Sequence, residues 1–463
     1  MAPSLASIDI ILIAIYLGGL LYVGLRRKRS ERFSHTDYLL GGRRLTLLPF
    51  IATLVTTWYG GILGVGEFTW SYGIVNLLVF AIPYYFFAAL YAFWLAKRIQ
   101  ADKAITIPER LRRSFGSRSA RSGALLIMLL ATPAPYLLML GVLINLCTGI
   151  SLWYGVLLGT LFSTVYLWSG GFRAVVRTDV FQFILMFGGF VTLLAVLASR
   201  LPVAQMWQAL PSDHRVLGGG AAMDSQVLLV WFLVASWTFV DPGFYQRCAA
   251  ARDGATATKG IFFSIALWFV FDILTTLAGL YAVVLLPDLG NHVAGPVAAY
   301  PLLGMQVLPP GLLGLFLVAL LAVVMSTVDS FTFISATTLG RDFAPDYLEP
   351  HVETRRIQWG IVITAVLGLS LALLVPSVVE LWYLLASILV PGLLVPVLIT
   401  FRPSVLLSDE QALLISIVGV GVAALWYLLQ YRFGSDSGLL VLQPMLPGLA
   451  ASGLVAMIVH RWC

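Results

Sequence analysis

The chain contains 463 residues, of which 60% are hydrophobic and only 11% are charged, with a formal net charge of +6. A soluble domain is usually about 45–50% apolar and about 25% charged, so this composition excludes a water-soluble fold. In a bilayer only helices and closed barrels satisfy every backbone polar group, and apolar segments of about 18–28 residues match spanning helices rather than barrel strands.

Thirteen apolar segments are predicted to span the membrane, and we number them spans 1–13. The first is a retained span rather than a signal peptide, because basic residues follow it and no basic segment precedes it. In chain order the predicted spans are 7–25, 46–73, 75–97, 122–146, 151–169, 178–199, 226–244, 259–286, 311–340, 357–376, 378–401, 411–431 and 441–460.

The polar connections between the spans alternate in their Lys and Arg content. One set holds only Arg200, Arg215 and Arg432, which leaves 25 of the 28 basic residues on the other side, including clusters at 26–45 and 247–259. Because basic connections remain cytoplasmic, we predict an outer N-terminus and an inner C-terminus. The excess of basic residues therefore indicates topology and not nucleic-acid binding.

The connections are short, and no separate extramembrane domain is expected. The outer connections 200–225 and 287–310 have room for short surface helices. In one inner connection Thr106 is followed by Pro108 and Glu109, which is the pattern of a capped helix start. The pattern predicts a short basic helix on the inner membrane surface.

Two spans carry residues that interrupt a helix. Asp241, Pro242 and Gly243 interrupt span 7 near its inner end. The glycines of span 2 are Gly60, Gly61, Gly64 and Gly66. Broken helices are typical of transporters, because unwound carbonyls and helix ends bind ions and substrates, and spans 2 and 7 are five apart, as the first members of two five-helix repeats would be. The alternative, that the glycines serve helix packing and that the second break merely ends span 7, stays open.

Span 9 contains a dense run of oxygen-bearing side chains. These are Ser326, Thr327, Asp329 and Ser330. Hard cations prefer several oxygen ligands, so the run is a candidate cation site, while hydroxyls that bond to their own helix carbonyls are the alternative. The sequence lacks the motifs of zinc proteases, serine hydrolases and nucleotide-binding loops, and we expect no enzyme activity.

Further candidates are acids and aromatic residues within the spans, because charged groups at membrane depth usually face a cavity or a partner. The acids are Glu67, Asp179, Asp241, Asp272 and Asp329, and the aromatic residues beside the two breaks are Trp58, Tyr59, Trp237 and Phe239. A salt bridge with Arg173 or Arg177 is the alternative role for Asp179, and Asp241 is expected at the inner interface. Ordinary packing is the alternative for the aromatic residues.

Four pieces of sequence, in order along the chain, resemble the sodium/solute symporter family. They are TIPERLRRSFG, GGFRAVVRTDVFQFILMFGGF, DPGFYQRCAAARD and MSTVDSF. The resemblance runs from about span 2 to span 11 and implies an all-α polytopic membrane protein with the LeuT-type 5+5 inverted repeat. It implies one transporter domain over 1–463, with repeat one at 46–199, repeat two at 226–401 and additional helices at 7–25 and 411–460.

The resemblance also implies a Na⁺ site between spans 2 and 9. Its ligands would be Ala52, Val55, Val323, Ser326 and Thr327. Some relatives bind a second cation at the position of Asp179, and here Asp329 and Ser330 stand where those relatives carry two serines. A second Na⁺, a proton and a structural role for this group all stay open.

The solute positions differ from those of the better-known relatives. Positions that match polar contacts of the sugar carriers hold Tyr59, Phe80, Val234 and Trp268, with Trp237 at their gating tyrosine. Leu54 stands where proline carriers have an aspartate, so neither a sugar nor proline is supported. We expect the solute to contact Trp58, Tyr59, Glu67, Trp237 and Asp272, with Glu67 facing a cationic or zwitterionic solute.

These observations predict a sodium-coupled symporter that moves a small organic solute by alternating access, in a bacterial inner membrane. The expected partners are Na⁺, the solute and the lipid bilayer, with no nucleic acid and no obligate protein partner. Proton coupling through Glu67, Asp272 or Asp329 is the first alternative. A transmembrane solute sensor is the second.

Overall fold

A computed structural model describes residues 5–25, 35–102, 104–217, 225–292, 295–344, 348–375, 377–402, 404–434 and 438–461. Within these ranges the chain is helical, with one isolated backbone bridge between Leu45 and Ala251. Most of the basic cluster predicted at 26–45 falls in residues 26–34, which lie outside the described residues.

Each predicted span coincides with an apolar helical segment in the described part of the chain. Eleven of these segments are long and apolar enough to cross a membrane, while spans 5 and 13 are shorter. In chain order they are Ser7–Leu25, Leu47–Val75, Leu77–Ala101, Ser117–Thr148, Leu152–Trp168, Gly170–Arg200, Ser225–Ala250, Gly254–Leu285, Leu312–Asp342, Pro350–Leu374, Val378–Ile399, Asp409–Phe433 and Met445–His460.

Spans 5 and 6 follow each other without a polar loop. The helix Leu152–Arg200 departs from helical geometry at Gly171, which has φ 57° and ψ −159°. A Cβ atom at Gly171 would lie 2.5 Å from the Tyr38 ring, and the positive φ is one that L side chains rarely adopt. A glycine is therefore required at this junction, and span 6 begins at Gly170 rather than at the predicted residue 178.

Span 9 is the central helix of the described structure. Nearly every residue from Leu313 to Thr337 is buried, and the helix packs against spans 1, 2, 4, 6 and 10. Spans 1 and 12 lie at the periphery of the bundle and expose apolar side chains such as Ile15 and Leu428. A helix that is apolar all round and buried must satisfy its polar side chains inside the protein, which directs attention to the hydroxyls and carboxylates of span 9.

Short helices lie in the connections, as predicted. The helix Ile107–Ser114 begins at Thr106, whose side-chain oxygen accepts a hydrogen bond from the Glu109 backbone N–H at 3.1 Å. The connections on the predicted outer side contain the helices Val203–Ala209 and Ala299–Val307.

Both predicted helix breaks are present. Span 2 consists of helix Leu47–Trp58, a 3₁₀ turn at Tyr59–Gly61 and helix Ile62–Tyr72. Because a second helix follows the turn, the glycines Gly60 and Gly61 mark a true interruption within the span.

Span 7 is broken in the same way. It consists of helix Ser225–Val234, a 3₁₀ segment Ala235–Val240 and helix Pro242–Ala250. The Asp241 carboxylate caps the second helix by accepting the Phe244 N–H at 2.8 Å. The alternative in which Asp241, Pro242 and Gly243 end span 7 is therefore wrong, because proline at the first helical position starts a new helix.

Candidate functional site

The broken part of span 2 lies directly against span 9. A Cβ atom at Gly60 would lie 1.8 Å from Thr327 Oγ1, so only glycine permits this approach. The Thr327 hydroxyl donates a hydrogen bond to the carbonyl of Thr57 at 2.8 Å, and Thr57 lies in the last turn of the helix that precedes the 3₁₀ turn. Thr327 thus satisfies a carbonyl of span 2 next to the break in its helix.

Ser326, the residue before Thr327, faces span 6. Its hydroxyl donates to Asp179 Oδ1 at 2.6 Å, and the Thr53 hydroxyl donates to the other carboxylate oxygen. Asp179 is fully buried in this oxygen cluster. The alternative salt bridge to Arg173 or Arg177 is not formed among the described residues, and Arg173 pairs instead with Asp37 at 2.6 Å.

The donor set fits a hard monovalent cation. Ser326 and Thr53 act as hydrogen-bond donors to Asp179, yet each hydroxyl keeps lone pairs that can bind a cation, and Asp179 supplies the negative charge. The predicted carbonyl ligands lie on the same two helices. These are the buried residues Ala52 and Val55 of span 2 and Val323 of span 9. The predicted Na⁺ ligands thus belong to two helices that are in direct contact, and the assignment stays a prediction.

The three residues of the predicted second cation site point to different partners. Asp179 accepts from Ser326 and Thr53, whereas Asp329 accepts from the Tyr166 hydroxyl of span 5 at 2.6 Å. Ser330 accepts from Arg247 Nη2 at 2.8 Å. Consecutive helical residues point about 100° apart, which explains why neighbours on span 9 reach different spans.

Arg247 is a residue of the site that sequence reasoning missed. It was assigned to a basic connection at 247–259, which was wrong, because helix Pro242–Ala250 continues past the break and buries Arg247 completely. Its Nη2 atom lies 2.8, 2.9 and 3.2 Å from the hydroxyl oxygens of Ser330, Thr57 and Thr53. The available signal was a basic residue five positions after a proline that starts a helix.

A cavity lies between the two broken spans, and we call it the central cavity. It has an empty volume of about 910 Å³, which includes some open solvent, and its lining contains four of the five predicted solute contacts. These four are Trp58, Tyr59, Trp237 and Asp272. Asp272 accepts a hydrogen bond from the Tyr85 hydroxyl. Asp241 also lines this cavity and is buried, so its expected place at a solvated interface was wrong.

Glu67, the fifth predicted solute contact, lies in a second cavity, which we call the vestibule. The vestibule is lined by Glu67, Glu380 and several aromatic residues, and Trp231 lines both cavities. The rings of Trp231 and Tyr383 have centroids 5.6 Å apart. Glu67 and Asp272 therefore face separate spaces that meet at Trp231.

The sequence of this chain matches the model of a known protein family, in agreement with the arrangement of two broken helices around a polar core. The sequence profile of the "Sodium:solute symporter family" matches residues 38–402, which are 365 of the 463 residues. The chain belongs to this family. The predicted resemblance is thereby confirmed.

Individual relatives of this symporter agree in their coupling ion. It is 27% identical over 397 residues to a sodium/glucose cotransporter of Vibrio parahaemolyticus, covering 75% of this chain and 70% of the relative. It is 26% identical over 375 residues to a sodium/pantothenate symporter of Escherichia coli K12, covering 75% and 74%. The predicted coupling ion, Na⁺, is confirmed, and the family and these relatives are membrane transporters.

A solved structure shares the fold of this symporter over its whole length. It is the substrate-bound outward-open state of a Na⁺-coupled sialic acid symporter, with a TM-score of 0.82 and 17% sequence identity over 99% of this chain and 98% of that one. The LeuT-type architecture predicted from the sequence is therefore confirmed.

Proposed function

We propose that this sodium-coupled symporter takes up a small organic solute by alternating access, with the solute in the central cavity. Na⁺ binds between spans 2 and 9 with Ser326 and Thr327 as side-chain ligands, and Asp179 supplies nearby negative charge. The carbonyls of Ala52, Val55 and Val323 complete the predicted site.

One observation carries the proposal: Asp179, Ser326 and Thr53 form a buried oxygen cluster where three spans meet. Thr53 lies on span 2, Ser326 on span 9 and Asp179 on span 6, and all three are buried. A cation bound there contacts all three spans at once, so its binding energy favours the conformation in which they are together. Release of the ion then frees span 2 to move relative to span 9.

The proposed moving parts are two inverted repeats, one over 46–199 and the other over 226–401. Span 2 is the first helix of one repeat and span 7 is the first helix of the other, and both are broken beside the central cavity. Discontinuous helices at corresponding positions of two repeats are typical of substrate and ion sites. The orientation that places the N-terminus outside the cell, in a bacterial inner membrane, belongs to the same proposal.

The proposal is tested by uptake into proteoliposomes under an imposed Na⁺ gradient, with a panel of radiolabelled sugars, carboxylates, zwitterions and amines. For any solute that accumulates, Ser326→Ala with Thr327→Ala should reduce Na⁺-driven uptake strongly. The matched control is Thr192→Ala with Ser370→Ala, whose hydroxyls bond to carbonyls of their own helices at 2.7 and 2.9 Å.

Each outcome has a distinct meaning. Unchanged Na⁺ dependence in the Ser326 and Thr327 double variant would contradict the ion site. Uptake driven by a pH gradient without sodium would assign coupling to a proton. An absence of gradient-driven accumulation across the whole panel would contradict transport of a small organic solute.

A further inference from the structure

The walls of the central cavity are predominantly aromatic. Ten of its 19 lining residues are Phe, Tyr or Trp, contributed by spans 2, 3, 4, 7, 9 and 11. Trp58 and Tyr84 have ring centroids 4.7 Å apart, and Phe80 and Trp231 have centroids 5.2 Å apart. Aromatic faces attract organic cations, because the ring quadrupole is negative over its face, and clusters of rings recognise ammonium groups.

The two carboxyl groups in the lining of this cavity, Asp241 and Asp272, differ in the groups that interact with them. The Asp241 carboxylate caps the N-terminus of helix Pro242–Ala250, and Arg247 lies in the same cavity wall. Asp272 has a hydrogen bond from the Tyr85 hydroxyl, and no Lys, Arg or His in the described ranges forms an ion pair with it. A carboxylate in an aromatic cavity favours a cationic ligand over a neutral one.

The balance of buried charge around the cavity points the same way. In the described part of the chain five aspartates are buried in spans 6 to 9, namely Asp179, Asp241, Asp272, Asp329 and Asp342, whereas Arg247 is the one basic residue buried within these spans. Buried carboxyl groups thus outnumber the positive charges that Arg247 and one Na⁺ supply. An anionic solute would add to the excess of acidic groups, while a cationic solute would reduce it.

The vestibule, like the central cavity, is lined by both acidic and aromatic side chains. Glu67 and Glu380 line it together with four aromatic residues, and it shares Trp231 with the central cavity. Acidic side chains at the approach to a site raise the local concentration of cations. Both cavities therefore combine aromatic and acidic side chains.

A polar group suited to orienting a solute also lies in the cavity wall. The indole N–H of Trp237 is buried, and no hydrogen-bond partner for it occurs among the described residues. A buried donor of this kind usually has a partner, and an oxygen of the solute would provide one. An organic cation that also carries a hydroxyl or carbonyl oxygen satisfies both Trp237 and Asp272.

We propose that the solute is an organic cation, an amine or quaternary ammonium compound with apolar surface, held by the aromatic rings with Asp272 as its counter-ion. This inference rests on the proposed function, because it takes the central cavity as the solute site. It names the chemical class of the solute and the residue that selects it.

The test compares charged compounds with neutral compounds of the same shape on the purified full-length protein in detergent. Intrinsic tryptophan fluorescence is titrated in NaCl with choline, benzyltrimethylammonium and phenethylamine. Choline is matched by 3,3-dimethylbutan-1-ol, benzyltrimethylammonium by neopentylbenzene and phenethylamine by propylbenzene, in each of which carbon replaces the charged nitrogen. We expect at least one cation to bind at least about tenfold more tightly than its neutral isostere. If no cation in the series reaches this preference over its isostere, the inference is overturned.

Variants then test the role of Asp272. Asp272→Asn should remove the preference for the cation, and Asp272→Glu should restore part of it. Asp288→Asn is the control, because Asp288 is exposed in the connection after span 8 and leaves the cavity unchanged. Full cation preference in a folded Asp272→Asn protein would overturn the counter-ion assignment, and if that variant does not fold, the comparison of isosteres on the unmodified protein still decides the solute class.

Thermal stability in NaCl and in KCl separates this inference from the proposed function. Selective stabilisation by Na⁺ without cation preference would overturn the inference and leave the sodium site standing. Cation preference without any effect of Na⁺ would contradict the sodium site and leave the solute class standing.

Discussion

Replacing Arg247 with methionine should destabilise the protein strongly, because a fully buried guanidinium would be removed from among polar partners. Arg247 Nη2 lies within hydrogen-bond distance of the hydroxyls of Ser330, Thr57 and Thr53. The nitrogen has two protons, so two of these bonds can be made at once. At about 1.5–3 kcal/mol for each bond to a charged group, their loss amounts to about 3–6 kcal/mol.

The carboxylate near Arg247 gives a second estimate of the destabilisation caused by Arg247→Met. The Thr53 hydroxyl accepts from Arg247 and donates to Asp179, so it bridges the two charged groups. Removing one partner of a buried charge pair typically costs about 3–5 kcal/mol, because the other charge is left uncompensated. Both routes give similar values, and we expect Arg247→Met to reduce the free energy of unfolding by about 3–5 kcal/mol.

The assay is the apparent melting temperature in detergent, measured in NaCl and in KCl. Na⁺ at Asp179 would replace part of the lost positive charge, so Na⁺ should stabilise Arg247→Met by more than it stabilises the unmodified protein. Adding Asp179→Asn to Arg247→Met should recover part of the stability in KCl, because the uncompensated carboxylate is then absent.

Arg252→Met is the matched control for this experiment. Arg252 is 64% exposed and pairs with Asp253 outside the spans, so its loss should change stability by no more than about 1 kcal/mol. Arg247→Lys should be intermediate, because lysine keeps the charge without the planar geometry of the guanidinium. An Arg247→Met protein with the same melting temperature as the unmodified protein would refute this reasoning. So would a double variant Arg247→Met with Asp179→Asn that is no more stable in KCl than Arg247→Met alone.

Two further substitutions test the contacts of span 9. Gly60→Ala should prevent the close approach of spans 2 and 9 and reduce the stabilisation by Na⁺, because its Cβ would lie 1.8 Å from Thr327 Oγ1. The control is Gly188→Ala, whose Cβ has no neighbour within 4 Å and which should leave the stabilisation by Na⁺ unchanged. Equal stabilisation of both variants by Na⁺ would contradict the packing argument. Tyr166→Phe removes the hydroxyl that donates to Asp329 at 2.6 Å and should lower stability by about 1–3 kcal/mol in thermal unfolding; a Tyr166→Phe protein as stable as the unmodified one would show that Asp329 does not need this donor.

The membrane spans were predictable from sequence because the bilayer leaves few solutions. A segment of about 20 apolar residues must form its own backbone hydrogen bonds, so hydropathy locates helices with errors only at their ends. Local chemistry also located the helix at Ile107–Ser114, since the Thr106 cap and Pro108 are adjacent in sequence. The break in span 2 could be found for the same reason, because Gly60 and Gly61 act on their own helix.

Contacts between distant parts of the chain were not predictable in this way. Arg247 is 190 residues from Thr57 in sequence, and its burial depends on how spans 2, 7 and 9 pack together. The sequence placed Arg247 with basic residues that follow it, because composition alone does not distinguish a buried arginine from one in a loop. Glu67 and Asp272 were likewise grouped as solute contacts, although Glu67 lines the vestibule and Asp272 the central cavity.

Span 9 gives a physical reason why ion binding and conformation can be coupled in this fold. Ser326 contacts Asp179 of span 6, Thr327 contacts the Thr57 carbonyl of span 2, and Ser330 contacts Arg247 of span 7. Since these three side chains lie within five residues of one rigid helix, a displacement of span 2 changes the surroundings of all three contacts. Arg247 is a permanent positive charge at this junction, and in the proposed site Na⁺ would be an exchangeable one. The proposed transport cycle therefore depends on a junction at which one cation belongs to the protein and the other arrives from solution.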